Sequence, residues 1–541
     1  MANPDTYDVV IVGFGIAGVT AALEAAQAGA KVLVLDRGYG GGASGLSGGV
    51  VYAGGGTAHQ RAAGIEDTPE EMFRYLKQEI AAVVSDETLR RFCETSAASL
   101  AWLESKGAKF SGPLCPYKTS YPCDKWYLYY SGNEKAWPFS QYARPAPRGH
   151  RMVAKGLSSG HDLLAALMKS AEAEGIEFRP LSRVSRLLFD DKGRVTGVSY
   201  RGVELTGTVG RRHKQLTTWG GKFGNWFPRL GKQLTHRADV LWDSRSAESE
   251  VHGKSVIMAA GGFVFNPEMH AQYAFGAFKD IRPLGTVGDD GTGIHLGESA
   301  GGVRDHMDRM TAWRFLTPPS KLVEGVAVGM SGRRIANEDL YGATFTEIFI
   351  REHEARGWLI LDSQQWAVAR SQIIDQTEAF QRAQAYYLFS KGHVKAATLD
   401  ELASKTEVGL AELRATLDAY NAGIKSGEGD PHHKAAEVCS LVEEAPYYAI
   451  NIAIKNSPLY PCSGLTLGGL RVNEDTGELL DDKGNSIPGI YAAGRSAVGV
   501  CSNNYISGLS LADGVFSGRR AGRHAAMAAE AESSPGLATS S

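Results

Sequence analysis

The run Asp8-Val9-Val10-Ile11-Val12 ends on Gly13-Phe14-Gly15-Ile16-Ala17-Gly18 and continues into an alanine-rich stretch to Ala28, and no other feature restricts the fold so strongly. Such a run forms a short apolar strand, a tight turn and a helix. Lys31 to Leu35 reads as a second strand, closing on Asp36 about 20 residues past the glycines, where an acid for a ribose hydroxyl belongs. The glycines differ in what they allow. Gly13 permits the turn, Gly15 lets the backbone approach a pyrophosphate, and Gly18 lets helix and sheet pack closely. The helix N-terminus offers unpaired N–H groups to the anion. A GxGxxG alone is weak, because glycine-rich turns are common, but here strand, helix, second strand and acid stand in register. A Rossmann-like α/β dinucleotide-binding domain is expected.

The residues after Asp36 point to FAD rather than NAD. Gly41-Gly42-Ala43-Ser44 and Ser47-Gly48-Gly49 are small residues along which an extended cofactor can lie, the alternative being a flexible surface loop. Gly makes up 65 of the 541 residues, about 12% against an average near 7%, and it collects in short loops between apolar runs. Two later segments read as returns to the same sheet: Ser255 to Ala260, ending in Gly261-Gly262-Phe263, and Gly489 to Ala493, ending in Gly494-Arg495. Gly508-Leu509-Ser510-Leu511 then opens a helix to about Ala529, whose N-terminus suits the flavin region that becomes negative on reduction. The sequence holds no second dinucleotide fingerprint for NAD(P)H and no CxxCH for attached haem.

Composition sets the remaining bounds. With 43% hydrophobic and 22% charged residues the chain is of globular type, and a formal net charge of −3 argues against nucleic acid as a partner. Six cysteines without a CxxC pair form neither a disulfide framework nor a zinc site, and no metal is expected. The chain enters a strand at Tyr7 with no basic-then-apolar leader before it, and no apolar run reaches the roughly 20 residues of a membrane span. A cytoplasmic protein is expected. The domain reading is an FAD-binding part over residues 1–300, an inserted α+β substrate or capping domain over 301–445 carrying Trp313, Tyr341, Trp366, Tyr386 and Tyr387, and a second FAD-binding part over 446–541. The small polar residues from Ser533-Ser534-Pro535-Gly536 onward read as a disordered tail.

The N-terminal fingerprint, Gly261-Gly262-Phe263, Gly288-Asp289-Asp290-Gly291-Thr292-Gly293, Arg333-Arg334-Ile335-Ala336-Asn337-Glu338 and the stretch from Gly489 to Gly518 together resemble the fumarate reductase and 3-ketosteroid dehydrogenase flavoprotein superfamily, over nearly the whole chain. Within it the chain is most similar to the 3-ketosteroid Δ4-(5α)-dehydrogenases. The departures select the substrate. Fumarate reductases carry His-Thr-x-Gly-Gly where this chain has Leu465-Thr466-Leu467-Gly468-Gly469, a clamping Arg where it has Tyr505, and a proton-donating Arg after Asn337-Glu338 where it has Asp339-Leu340-Tyr341-Gly342. A dicarboxylate needs fixed cations, whereas phenols and apolar groups suit a neutral ketone on an apolar skeleton. The Δ1-dehydrogenases typically have Tyr-Pro-Gly-x-Gly where this chain has Tyr505-Ile506-Ser507-Gly508.

The resemblance implies removal of a proton from C4 and a hydride from C5 of a 3-ketosteroid, the hydride passing to flavin N5. Tyr505 and the Gly508 N–H are assigned to the ketone oxygen. Tyr341 is the base with Ser507 as relay, and the roles of Tyr341 and Tyr505 are interchangeable at this level. A tyrosine near its reference pKa of about 10 is closer to a useful base than serine, and nearby positive polarity lowers it further. The expected cofactor contacts are Gly13, Gly15, Ala17, Gly18, Asp36, Arg37, Gly42, Ala43, Ser44, Ser47, Gly48, Gly49, Ala260, Gly261, Gly494, Arg495, Ser510 and Leu511. An external acceptor takes the electrons. Alternatives are a Δ1-dehydrogenase, an enoate reductase of the same scaffold, or a flavin-binding carrier or sensor without turnover. Tyr460, Cys462 and Ser463 read as a loop near the flavin or as purely structural, and His432-His433 as a solvated pair without a partner.

Residues 206–238 form a basic insertion without Asp or Glu, holding Arg211, Arg212, Lys214, Lys222, Arg229, Lys232 and Arg237. Trp219, Phe223, Trp226, Phe227 and Leu230 fall on one face at helical spacing, with Lys222, Asn225 and Arg229 beside them. This is the pattern of a peripheral membrane contact. Gly220, Gly221, Gly224 and Pro228 weaken a helix, so a solvated basic loop or an oligomer contact stands beside it.

Overall fold

The first strand, Thr6–Val12, lies at the middle of the principal sheet because it is apolar on both faces. Val9 to Val12 pair in parallel with Val32 to Leu35 on one side and with Ser255 to Met258 on the other. Glu177–Arg179 extends the sheet beyond Val32–Leu35, and Ser486–Ala492 extends it beyond Met258, both in parallel. The computed structural model describes residues 6–204, 206–224, 227–455 and 460–533. The segments 456–459 and 534–541, the latter being most of the expected disordered tail, lie outside the described residues, and Ser533 itself ends a helix.

The return strand expected over Ser255 to Ala260 is longer, Ala247–Met258. Its first half alternates polar residues and pairs antiparallel with Val195–Gly202, which is why an apolar run alone does not reveal it. Helices Ile16–Gln27 and Leu509–Ser533 pack on each other through glycines four residues apart. A Cβ on Gly514 would lie 2.6 Å from Ile16 Cγ2, on Gly518 2.3 Å from Thr20 Oγ1, and on Gly522 2.2 Å from Ala21 O. The backbones therefore touch.

A second, antiparallel sheet orders Val326–Gly329, Gly357–Leu361, Tyr447–Asn451 and His393–Ala396, with helices around it. Its strand Tyr447–Asn451 lies just past residue 445. A small sheet joins the two regions: Trp313 pairs with Ser463 and Met310 with Thr466. The segment Arg333 to Glu338 is a buried charge lock. Arg334 bonds Glu338 at 2.7 Å and Asp430 at 2.9 Å, while Lys434 reaches Glu338 at 2.9 Å. Burial alone would raise the Glu338 carboxyl, but Arg334 and Lys434 hold it below its ordinary value. Just beyond the lock, Tyr341 stands at the N-terminus of helix Gly342–His353.

The basic insertion is a pair of helices, Gly207–Gly224 and Pro228–Asp243. The residues expected to weaken a helix have other uses. Pro228 begins the second helix, where no N–H is needed. A Cβ on Gly220 would lie 2.8 Å from Thr235 Oγ1, so glycine there lets the helices approach. Trp219, Phe227 and Leu230 are exposed. Asn225 and Trp226, and the side chains of Gly221 to Gly224 and Pro228, including Lys222 and Phe223, lie outside the described residues.

Candidate active site

Packing demands glycine at two of the three fingerprint positions. Gly13 has φ +104°, and a Cβ there would lie 2.4 Å from Ala259 O. A Cβ on Gly18 would lie 1.9 Å from Gly13 O. Gly15 differs: its φ of −81° and ψ of −167° suit any residue, and the nearest atom to a Cβ would be Ser44 Oγ at 3.5 Å. The chain itself does not need glycine there, and the space over Gly15 is open.

Of the other expected cofactor positions, Ser44 is the one a Cβ on Gly15 would approach. Asp36 Oδ2 accepts from Phe14 N at 2.8 Å and its Oδ1 from Gly38 N at 2.7 Å. Arg37 pairs with Asp290 and donates to Val287 O at 3.3 Å. Gly42, Ala43 and Ser44 lie in a short helix, Gly42–Leu46, from which Ser44 Oγ accepts from Ile16 N at 3.2 Å. Ser47 Oγ accepts from Gly49 N at 3.1 Å, and Gly48 O accepts from the Tyr121 hydroxyl at 3.0 Å. Ala260 and Gly261 follow the strand ending at Met258. Gly494 backs onto Ala17, where a Cβ would lie 2.8 Å from Ala17 Cβ. Arg495 Nη2 pairs with Asp289 at 2.5 Å, while its Nη1 is buried without a partner among the described residues. Ser510 and Leu511 occupy the first turn of Leu509–Ser533.

Tyr341, Tyr505 and Ser507 come together around aromatic rings. The Trp313 ring packs edge-on against Tyr505 at 4.9 Å and stacks near Phe315 at 6.5 Å, and Phe315 packs edge-on against Tyr341 at 5.7 Å. Leu465 joins the same core cluster. Ser507 Oγ lies 2.9 Å from the Tyr129 hydroxyl. Gly508, at φ +92°, abuts the strand Val50–Tyr52, where a Cβ would lie 2.7 Å from Tyr52 N.

The electrostatics correct one expectation. Burial pushes the Tyr341 phenol well above its ordinary value, the neighbouring Tyr505 and Tyr129 add to this, and the Ser507 hydroxyl and Trp313 N–H draw it partly back. Burial likewise pushes Tyr505 up to about 12, against a Gly508 N–H directed at its oxygen. Neither tyrosine is lowered, because no cation faces either strongly enough to offset desolvation. Both are phenols near neutrality.

Between Phe315 and the second sheet lies an open cavity. Its walls include Phe315, Leu316, Pro318, Phe380, Leu388, Phe389 and Tyr460, with Ser120, Gln381 and Gln384 as polar groups, and none of the lining side chains is charged. Arg314 turns away from it, donating to Tyr460 O at 3.2 Å and Ala453 O at 3.1 Å. Tyr460 is thus a cavity wall, and Ser463 lies in a strand rather than a loop. His433 is not partnerless: it packs on Trp137 at 4.4 Å. Sequence reasoning misses Tyr129, which sits in a two-residue strand with no motif around it, and Phe315, which looks like any core aromatic.

A family model described as the FAD binding domain matches residues 8–511. The chain belongs to the FAD-binding flavoproteins. This flavoprotein is 39% identical to 3-oxo-5-alpha-steroid 4-dehydrogenase of Comamonas testosteroni over 495 residues, covering 91% of its own chain and 92% of the relative. It is 26% identical to 3-oxosteroid 1-dehydrogenase of Mycobacterium tuberculosis, with 92% and 94% covered. Among solved structures it resembles a 3-ketosteroid-Δ4-(5α)-dehydrogenase from Rhodococcus jostii RHA1 in complex with 4-androstene-3,17-dione, at TM-score 0.81 and 31% identity, with 96% and 97% covered. FAD is its cofactor, and the gap over Gly15 and the unpartnered Arg495 Nη1 fit such a group.

Proposed function

We propose that this flavoprotein desaturates ring A of a 5α-3-ketosteroid, forming the C4–C5 double bond. The observation that carries the reading is the uncharged, aromatic-walled cavity bordered by Phe315, which packs against Tyr341. A rigid, neutral, apolar substrate with one ketone suits such walls, and a dicarboxylate does not. The Comamonas relative's name and the steroid in the Rhodococcus structure support the same substrate class. Residues 301–445, with the strand Tyr447–Asn451, act as the substrate cap.

In this reading Tyr505 donates its phenol proton, and Gly508 its N–H, to the ketone oxygen as negative charge builds there. Bound FAD supplies the acceptor for the hydride leaving C5. The C4 proton goes to the Ser507 oxygen as the Ser507 hydroxyl passes its own proton to Tyr341 in its phenolate form, and the contact of Ser507 with Tyr129 offers a further hydroxyl for proton exit. Trp313 packed on Tyr505 and Phe315 packed on Tyr341 limit the water beside the two phenols. The residues around Gly15, Asp36, Ser44, Gly261, Arg495 and Ser510 hold the cofactor, and an external acceptor reoxidises it.

Under anaerobic conditions a 5α-reduced 3-ketosteroid is expected to bleach the flavin and yield a C4–C5 enone, whereas succinate leaves it oxidised. Steady succinate oxidation with an artificial acceptor overturns the reading, and a C1–C2 product moves the protein to Δ1 chemistry.

The exposed basic hairpin supports a second part of the proposal: cytoplasmic protein docked peripherally on an anionic membrane, where steroids concentrate. Among the described residues no helix is long and apolar enough to cross a membrane. Arg211, Arg212, Lys214, Arg229, Lys232 and Arg237 lie on this hairpin together with the exposed Phe227 and Leu230. Basic residues near anionic lipid contribute about 1 kcal/mol each before losses. Co-sedimentation with phosphatidylserine vesicles is expected, weakening with salt, and weaker for Phe227→Ser with Leu230→Ser. Equal sedimentation of variant and parent ends this part.

A further inference from the structure

Glu79 lies one residue from the end of helix Pro69–Ile80 and is 2% exposed. A carboxylate is poorly placed there: the C-terminal end of a helix dipole repels it, and desolvation costs more. Burial pushes its carboxyl up to about 7, even though hydrogen bonds from Tyr75, Asn133 and Asn504 draw it down. Helix stability therefore does not account for it.

Its hydrogen bonds do. Glu79 Oε1 accepts from Asn133 Nδ2 at 2.7 Å, and Asn133 Oδ1 accepts the Tyr341 N–H at 2.6 Å. Glu79 Oε2 accepts from Asn504 Nδ2 at 2.8 Å, and Asn504 Oδ1 accepts the Tyr505 N–H at 2.9 Å. The two oxygens of one carboxylate thus hold, each through one asparagine, the backbones of the two tyrosines. Thr344 Oγ1 braces both asparagines at 2.9 and 3.3 Å, and the Tyr75 hydroxyl donates to Glu79 Oε1 at 2.6 Å. In its ionised form, favoured above about pH 7, the carboxylate only accepts, so it satisfies both asparagine NH₂ groups at once in a way that no neutral side chain of its shape can.

We propose that Glu79 is a positioning residue that fixes the separation of Tyr341 and Tyr505 through Asn133 and Asn504. The proposal rests on the proposed roles of the two tyrosines. Glu79 is not among the residues that line the cavity, so its loss is expected to act on geometry rather than on substrate binding.

Glu79→Gln sets an NH₂ group against one asparagine's NH₂ and opens that arm. With FAD content and KM held within about threefold, kcat is expected to fall by roughly 10- to 100-fold, the scale of a misplaced catalytic group. Adding Asn504→Asp reverses the polarity of one arm, so that the new amide donates to the new carboxylate, which still accepts the Tyr505 N–H. This pair is expected to regain kcat to within about threefold of the parent, while Asn504→Asp alone stays defective. If that pair is insoluble, Glu79→Gln with Asn133→Asp gives the mirror test. Unchanged kcat in Glu79→Gln, or a loss that neither pair recovers with FAD retained, overturns the proposal. Amide hydrogen exchange at Tyr341 and Tyr505 reads the bridge without turnover: faster at one of them in Glu79→Gln, slow again in the pair. A parent enzyme inert toward the steroid sinks the functional reading, and the exchange result still decides the bridge.

Discussion

Tyr341→Phe and Tyr505→Phe are each expected to keep the flavin and lose turnover by about a hundredfold or more, the usual scale for a lost proton-transfer or oxyanion group. The two losses should differ in their pH dependence. Burial holds the Tyr341 phenol above its ordinary value, so near neutrality only a small fraction is phenolate. That fraction grows about tenfold per pH unit. If Tyr341 accepts the C4 proton, the rate of flavin reduction by steroid rises with pH and reaches no plateau below about pH 10. Tyr505→Phe should keep this rise at a lower rate, because the ketone has lost a donor and not the base. Tyr341→Phe should flatten it. Rapid-mixing measurements of flavin reduction across pH 6 to 9 decide the matter, and a flat parent profile removes Tyr341 from the role of base.

Gly15→Val is expected to yield folded protein that carries less flavin and is paler than the parent. The backbone at Gly15 is already extended, and a Cβ meets Ser44 Oγ at 3.5 Å and Gly41 O at 3.9 Å, both ordinary contacts, so the fold tolerates the side chain. The cofactor does not: forcing methyl groups into a close-packed contact costs about 1–3 kcal/mol, or roughly 5- to 150-fold in FAD affinity. Gly13 and Gly18 make the contrast, since a Cβ at either runs into backbone and the fold itself should fail. The ratio of 450 to 280 nm absorbance, with far-ultraviolet circular dichroism for folding, separates the cases. Full yellow colour in Gly15→Val contradicts the assignment of the fingerprint.

The parts of the molecule legible in sequence are those where local pattern and tertiary role coincide. Val9 to Val12 read as a buried strand because they are apolar on both faces, and the glycines after them mark a tight turn. Tyr341, Tyr505 and Ser507 are singled out as candidates by their places in family motifs, since a tyrosine by itself is usually a packing residue. Tyr129 and Phe315 carry no such marker. Glu79, in an ordinary amphipathic helix with Thr68 capping it, gains its meaning only from Asn133 and Asn504, 54 and 425 residues away along the chain. The basic insertion is ambiguous in sequence because Gly220 reads as a helix weakener until Thr235 is seen against it. The tyrosine electrostatics escape the sequence for a related reason: it shows which groups titrate but not how deeply they are buried.

The glycine ladder between the first helix and Leu509–Ser533 has a consequence for how the protein is made. Thr20 Oγ1 donates to Gly514 O across 494 residues of chain. At about 5–20 residues per second, the ribosome emits the phosphate turn roughly half a minute to two minutes before the helix that walls it in. During that interval the nascent chain exposes the small apolar face of Ile16–Gln27 and has no complete pocket to offer. The two sides of this contact can therefore meet only near the end of synthesis.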